Sequence, residues 1–425
     1  MRTHQCIVAG GGMAGLASAV LLARAGTDVC VLERRADPSQ KVCAGGLSGR
    51  SLHLLSTLAM PFVHGRPVHT IEFNAVPWHY NRFSTARPMA VVSDRSAINA
   101  SMMGHARDSG VTVLHREVRR VEHDGRGFTV HTDRETFSAP YLIGADGATS
   151  RVRRSLGGTA PRMARAVMVE RLARKRPLDF SAFDYGVLPQ GYGWVFPTGE
   201  RTVNAGLFTI GDEKGADLRR VLASYVDDRL GRAEWEAPVR GGLLPWGGCR
   251  LDERVPVLLT GDAGGHTDPF TGEGIFQALY TARAAARAVL SHKPGEVRRA
   301  YERRLRKLGA NAWLMNRLGP RAYSRIRTVG RLGEGFLFSR VFFPGLARGK
   351  NWIEMLAAAP WLMACSSLFP EVLRREHDRN LSLAQRAGLR GDREEGRPRS
   401  RDFPGGDGTV VHPDYWEEKG PHVSG

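Results

Sequence analysis

The stretch CIVAGGGMAGLASAVLLARAGTDVCVLERR, residues 6–35, decides the fold. Cys6 to Ala9 is an apolar run of strand length, and the apolar spacing from about Met13 to Ala25 has the helical period. Gly26 then serves as a C-terminal cap, and Asp28 to Leu32 reads as a second strand that ends at Glu33. Between the first strand and the helix stands Gly10-x-Gly12-x-x-Gly15. Gly10 permits the tight turn, Gly12 lets the backbone approach a pyrophosphate, and Gly15 lets the helix close on the sheet. The helix N-terminus leaves N–H groups unpaired and carries partial positive charge, which suits that pyrophosphate. Glu33, about 20 residues on and with Arg34 beside it, suits the ribose hydroxyls. The stretch is therefore a complete βαβ unit for a dinucleotide, and its local chemistry leaves FAD and NAD open. The apolar run after Arg2 has the outline of a signal peptide, but the glycine spacing assigns it to the fold.

A chain of 425 residues buries a full core and is long enough for two or three domains. Its five cysteines are an odd number and include no CxxC pair, which excludes a disulfide framework and a zinc site and suits a reducing cytoplasm. A formal net charge of +18 points to an anionic partner such as a phospholipid surface or a pyrophosphate, or to arginines scattered over a solvated face. No nucleic-acid motif accompanies the charge, so no nucleic-acid partner is expected. No metal site is expected either.

Two later segments repeat the strand-then-glycine pattern. YLIGADGATSRVRRSLG, residues 141–157, is an apolar strand ending in Gly144, Asp146 and Gly147, followed by Ser150, Arg151, Arg153 and Arg154. VLLTGDAGGHTDPFTGEGIFQALYTARAAARAVL, residues 257–290, is a strand ending at Gly261-Asp262, with a helix beginning near Gly274 and Ile275. In an open α/β sheet ligands sit at the carboxyl ends of strands, so all three turns should face one crevice.

Five segments in order, GGGMAG (10–15), KVCAGG (41–46), GADGATSRVRR (144–154), GYGWVFP (191–197) and GDAGGHTDPFTGEGI (261–275), carry a family resemblance. The chain resembles the geranylgeranyl reductase family, within the FAD-dependent oxidoreductases of para-hydroxybenzoate hydroxylase fold, which are related to flavin-dependent monooxygenases and halogenases. It departs from the family's usual Cys-Gly-Gly by having Cys43-Ala44-Gly45. The resemblance implies an α/β (α+β) architecture with FAD as cofactor. A Rossmann-like FAD-binding domain with a parallel central sheet is expected over 1–160 and 245–295, an antiparallel-sheet substrate domain over 161–244, and a helical region over 296–381. It also implies that Asp262 holds a ribityl or ribose hydroxyl, that Pro269 to Gly274, including Gly272, run beside the isoalloxazine edge, and that Asp146 and Arg95 lie near the cofactor. A surface salt bridge is the competing reading of Arg95. Only one dinucleotide fingerprint is visible, so an NAD(P)H electron donor would visit transiently. Arg151, Arg153 and Arg154 would meet its phosphates or form a solvated basic helix start.

On the substrate side, short alternating runs between 161 and about 244 suit an antiparallel sheet roofing the flavin. Tyr192, Trp194 and Phe196 fall on one face of a strand, as core packing or as the apolar wall of a substrate channel. By resemblance Cys43 lies beside the flavin, where its thiol would shape or protonate the substrate; a lone cysteine is otherwise a small buried hydrophobe. Tyr192 and His266 are alternative proton donors. GFLFSRVFFPGLA and NWIEMLAAAPWLMACSSLFPEVLRR are cut by Pro344, Pro360 and Pro370 and are too short to span a bilayer. They suit helices that close a hydrophobic pocket or lie on the inner face of a membrane. From about Ser382 the composition is that of a disordered tail. The expected activity is hydride transfer from reduced flavin N5 to a carbon–carbon double bond of an isoprenoid or similarly apolar substrate, one with an anionic head group included. The alternatives are a monooxygenase or halogenase acting through a C4a-hydroperoxide on an aromatic or polyketide substrate, and a non-catalytic membrane-surface electron carrier.

Overall fold

The computed structural model describes residues 1–36, 41–61, 64–74, 81–173, 177–212, 215–231, 234–235, 237–333 and 354. The apolar runs at 335–347 and 351–375, Glu354 apart, and the tail from 382 lie outside the described residues.

Strands with apolar residues on both faces must be covered on both faces, and the central sheet meets that condition. Its order is Leu258–Leu259, Tyr141–Gly144, Cys6–Ala9, Val29–Glu33 and Thr112–His115, every pair parallel. Cys6 and Val8 pack beneath the helices Met13–Arg24, Arg95–Asp108 and Ile275–Ser291. Ile7 and Ala9 point the other way, onto Phe128, Val130 and Phe137 of a four-stranded sheet. The three strands that end in glycine-rich turns are therefore neighbours, and their carboxyl ends lie side by side. Within the βαβ unit the observed helix and second strand, Met13–Arg24 and Val29–Glu33, lie within a residue of expectation at each end.

The second layer is an eight-stranded sheet. Across it run Arg162–Ala173, Thr202–Thr209, Gly191–Pro197, Ser181–Tyr185 and Thr70–Asn74, with Arg240–Trp246 on the outer side of Arg162–Ala173. Most pairs are antiparallel. Ser181–Tyr185 and Thr70–Asn74 pair in parallel, and Thr70–Asn74 and its partner Asn81–Ser84 come from within the stretch expected for the cofactor domain. One face, through Val195, Ala205 and Leu207, packs on Leu218, Leu222 and Val226 of the helix Gly215–Leu230. The opposite face, through Phe73, Tyr185, Tyr192, Trp194 and Phe208, turns toward the glycine-rich turns at the ends of the parallel strands. From the C-terminal helix Arg306–Gly333, Met315 and Tyr323 join that aromatic cluster, and Tyr323 Oη donates to Phe270 O at 2.5 Å. Among the described residues no helix is long and apolar enough to cross a membrane.

Candidate active site

The turn after Cys6–Ala9 is built by steric necessity. Gly10 has φ +106°, and a Cβ there would lie 2.4 Å from Ala145 O; a Cβ on Gly15 would lie 1.9 Å from Gly10 O. Gly12 differs, because a Cβ on it would meet nothing within 4 Å among the described residues. That space belongs to the cleft, and Gly12 lines it. Gly12 N-caps Met13–Arg24 without any side-chain cap bond, so the first-turn N–H groups face the cleft with no side chain of their own to satisfy them. Arg95, at the start of Arg95–Asp108, is 7% exposed and lines the same cleft. Among the described residues its Nε is buried without a partner and its Nη1 reaches Met13 Sδ at 3.7 Å. A buried guanidinium with an unused donor beside a bare helix N-terminus fits a pyrophosphate, and excludes the surface salt bridge as Arg95's role.

Glu33 Oε2 accepts from Gly11 N at 2.5 Å and Oε1 from Arg35 N at 2.9 Å, so it stiffens the glycine-rich turn. Arg34 beside it is exposed, its carbonyl 2.8 Å from His115 Nε2. Asp146 does not line the cavity: Oδ2 accepts from the N–H groups of Arg151 and Val152 at 2.6 and 3.0 Å, while Oδ1 is buried and unpartnered among the described residues. Arg153 is buried and donates to Ala263 O and Ala148 O, lashing two of the turns together. Arg151 pairs with Glu117 at 3.3 Å and Arg154 is exposed.

Asp262 lines the cavity, with Oδ2 2.8 Å from the half-exposed Lys41 Nζ. Gly272 and Gly274 line it as well. Gly272 has φ +68°, and a Cβ on it would be 3.0 Å from the Phe208 ring and 3.2 Å from Tyr192 Oη. The turn thus needs a glycine twice over. Pro269 stands back from the cavity toward Gly319 of the C-terminal helix.

The proposed proton donors separate. Tyr192 Oη donates to Thr271 O at 2.5 Å, and burial pushes its phenol well above the ordinary value. His266 is turned inward: Nε2 lies 3.3 Å from Leu259 O, burial lowers its pKa, and it does not line the cavity. Cys43 does line it, half-buried, with Sγ accepting from Gly45 N at 3.4 Å. Trp194 and Phe196 line the wall as the alternation of the strand requires. Asn204 couples wall to loop, since its Oδ1 accepts from Trp194 Nε1 at 2.9 Å and its Nδ2 donates to Ala44 O at 2.7 Å.

Sequence reasoning missed the ion pair between Arg50 and Glu273, both of which line the cavity. Glu273 Oε1 also accepts from Ser48 Oγ at 2.5 Å and Ser51 Oγ at 3.2 Å, and the Arg50 guanidinium lies 4.4 Å over the Phe276 ring. Burial by itself pushes the Glu273 carboxyl up; the charge and hydrogen bond of Arg50 and the two serine hydroxyls outweigh it and hold the carboxyl below its usual range. The pair ties the start of Gly49–Thr57 to the turn preceding Ile275–Ser291. A second network lies behind the sheet, where Arg229 binds Glu72 and Asp184 and Tyr225 Oη donates to Asp184 at 2.5 Å. It holds the helix Gly215–Leu230 on the strands whose other face lines the cavity. No local sequence signal marks either network.

The cavity itself measures about 320 Å³ and lies between the glycine-rich turns and the apolar face of the eight-stranded sheet. Residues 3–188 match the FAD-binding domain family. A menaquinone reductase of Mycolicibacterium smegmatis is 33% identical over 324 residues, 67% of this chain and 76% of that protein. A digeranylgeranylglycerophospholipid reductase of Methanoculleus marisnigri is 26% identical over 307 residues, 67% of this chain and 75% of its own length. In structure, a geranylgeranyl bacteriochlorophyll reductase-like protein of Thermoplasma acidophilum superposes with a TM-score of 0.71 at 20% identity, covering 85% of this chain and all of that one, which establishes the shared fold. With its parallel dinucleotide sheet, its bare helix N-terminus and its apolar roof, the chain belongs to the geranylgeranyl and menaquinone reductase family of FAD-dependent oxidoreductases, with the para-hydroxybenzoate hydroxylase fold.

Proposed function

We propose that the protein reduces a carbon–carbon double bond of an isoprenoid or similarly apolar substrate, with electrons drawn from NAD(P)H. The observation that carries this reading is the shape and lining of the cavity. It crosses the sheet from Arg240–Trp246 to Thr70–Asn74, five strand-to-strand steps or about 24 Å along the sheet, and its walls over that span are almost entirely aliphatic and aromatic. That length exceeds the half-thickness of a bilayer's hydrocarbon core, about 15 Å, and suits an extended chain. The named activities of the relatives, on menaquinone and on a digeranylgeranyl lipid, have substrates of that kind.

FAD, when bound, supplies the two-electron chemistry that carries hydride from a nicotinamide to a double bond. The chain's own residues do the rest. Gly12, the first turn of Met13–Arg24 and Arg95 would hold the pyrophosphate, and Asp262, now paired with Lys41, would hold a ribityl hydroxyl. The aromatic wall of Tyr192, Trp194, Phe196 and Phe208 excludes water and fixes the chain's path. Cys43 Sγ–H gives the proton that completes the reduction, since of the three candidate donors it alone faces the cavity with its proton uncommitted, and solvent returns it.

Anaerobic mixing of the purified yellow protein with NADH and with NADPH, followed by a prenyl substrate, tests this reading. The expected result is flavin bleaching, then reoxidation by substrate with a product two hydrogens heavier. Reoxidation that requires O2 and yields an oxygenated or halogenated product would overturn it.

A further inference from the structure

The cavity wall holds one polar side chain whose presence packing does not explain. Ser181 opens the strand Ser181–Tyr185, and by alternation shares its face with Phe183 and Tyr185, both of which line the cavity. The strand register sets Ile71 beside it on one side and, through the Ala182–Val195 pair, Phe196 on the other. Ser181 is 3% exposed, lines the cavity, and its Oγ is buried with no hydrogen-bond partner among the described residues. A hydroxyl sealed among apolar groups loses its water without compensation, and alanine in its place would not. Such a group earns its place when something else supplies the missing partner.

We propose that the Ser181 hydroxyl is the anchor for an oxygen atom of the substrate, so that the cavity selects an oxygen-bearing isoprenoid (an alcohol, ether or ketone) over the plain hydrocarbon. The proposal rests on the reading of this cavity as the isoprenoid site. A hydrogen bond here also sets position along the chain. Phe196, Ser181's neighbour across the strand, reaches the Cys43–Gly46 loop: a Cβ on Gly46 would lie 3.2 Å from its ring. An oxygen held at Ser181 therefore determines which double bond is presented to that loop, and Ser181 is a determinant of regiochemistry as well as of affinity.

The test compares two probes, geranylgeraniol and the deoxygenated hydrocarbon of the same skeleton, titrated into FAD-loaded protein and followed by flavin fluorescence. Wild type should prefer the alcohol. Ser181→Ala should bind the alcohol roughly three- to tenfold more weakly, the usual worth of one neutral hydrogen bond, and bind the hydrocarbon more tightly, because no hydroxyl is then stranded. Ser181→Thr, which keeps the hydroxyl, should retain the preference. Should Ser181→Ala lose its flavin, Ser181→Cys, similar in size and a weak donor, carries the same comparison. A purely structural serine would shift both ligands together, and that result, or no shift at all, overturns the anchor while leaving the cavity reading intact. Failure of both probes to bind wild type would overturn the cavity reading and the anchor with it.

Discussion

Glu273→Gln keeps the shape of the turn and removes the charge opposite Arg50. The side chains of the pair are 10% and 15% exposed, so solvent screens them little. Removing one partner of a buried pair strands the other, which typically costs about 3–5 kcal/mol. Two features hold the loss toward the lower end, about 3 kcal/mol: glutamine still accepts from Ser48 and Ser51, and the guanidinium keeps its stacking over Phe276. Urea unfolding of the two proteins, followed by circular dichroism, measures the difference. The pH dependence follows from the sign of the Glu273 shift. Its folded-state pKa lies below the ordinary carboxyl value of about 4.3, so the pair's stabilisation is complete above that value and is lost as pH falls through the folded pKa. The gap between wild type and Glu273→Gln should therefore be flat from about pH 5 to 8 and narrow below about pH 4. Arg50→Met combined with Glu273→Gln should recover most of the loss, since neither charge is then stranded. A loss under about 0.5 kcal/mol at pH 7, or a gap that widens on acidification, would refute the reasoning.

The cofactor cleft makes two further predictions. Gly12→Leu adds a side chain at a residue with φ −78°, where a Cβ meets nothing within 4 Å, so folding should be preserved within about 0.5 kcal/mol while the flavin content of the purified protein falls toward zero; retained stoichiometric flavin would contradict the assignment of that space. Arg95→Met keeps the aliphatic stem but removes the charge, and FAD affinity measured by fluorescence titration should fall roughly ten- to a hundredfold, the worth of a charge-assisted hydrogen bond, with unchanged affinity as the contrary result.

The candidate site lies where two layers meet, and the layers differ in how far apart along the chain their parts lie. The dinucleotide turn closes within residues 6–35, which is why strand, glycines and helix could be placed to within a residue or so. The convergence of the turns at 10–15, 144–147 and 261–274 followed from one general rule about parallel sheets. Asp146 and His266 also have partners in their own neighbourhood that the sequence did not mark: Asp146 Oδ2 accepts from two N–H groups at the start of the helix Arg151–Ser155, and His266 Nε2 lies 3.3 Å from Leu259 O.

The sequence by itself determined the βαβ unit, the order of the glycine-rich turns and the single-faced aromatic strand at 191–197, because each rests on periodicity or on spacings of a few residues that backbone geometry dictates directly; the family was legible there as a resemblance carried by five ordered motifs. Only the tertiary structure decided that Arg50 meets Glu273 across 223 residues, that Thr70–Asn74 joins Ser181–Tyr185 in parallel, and that Ser181 has no hydrogen-bond partner among the described residues in an apolar wall. Those are outcomes of which surfaces are buried together, and burial changes the cost of a charge or a hydroxyl in a way that no stretch of chain, read alone in water, can register.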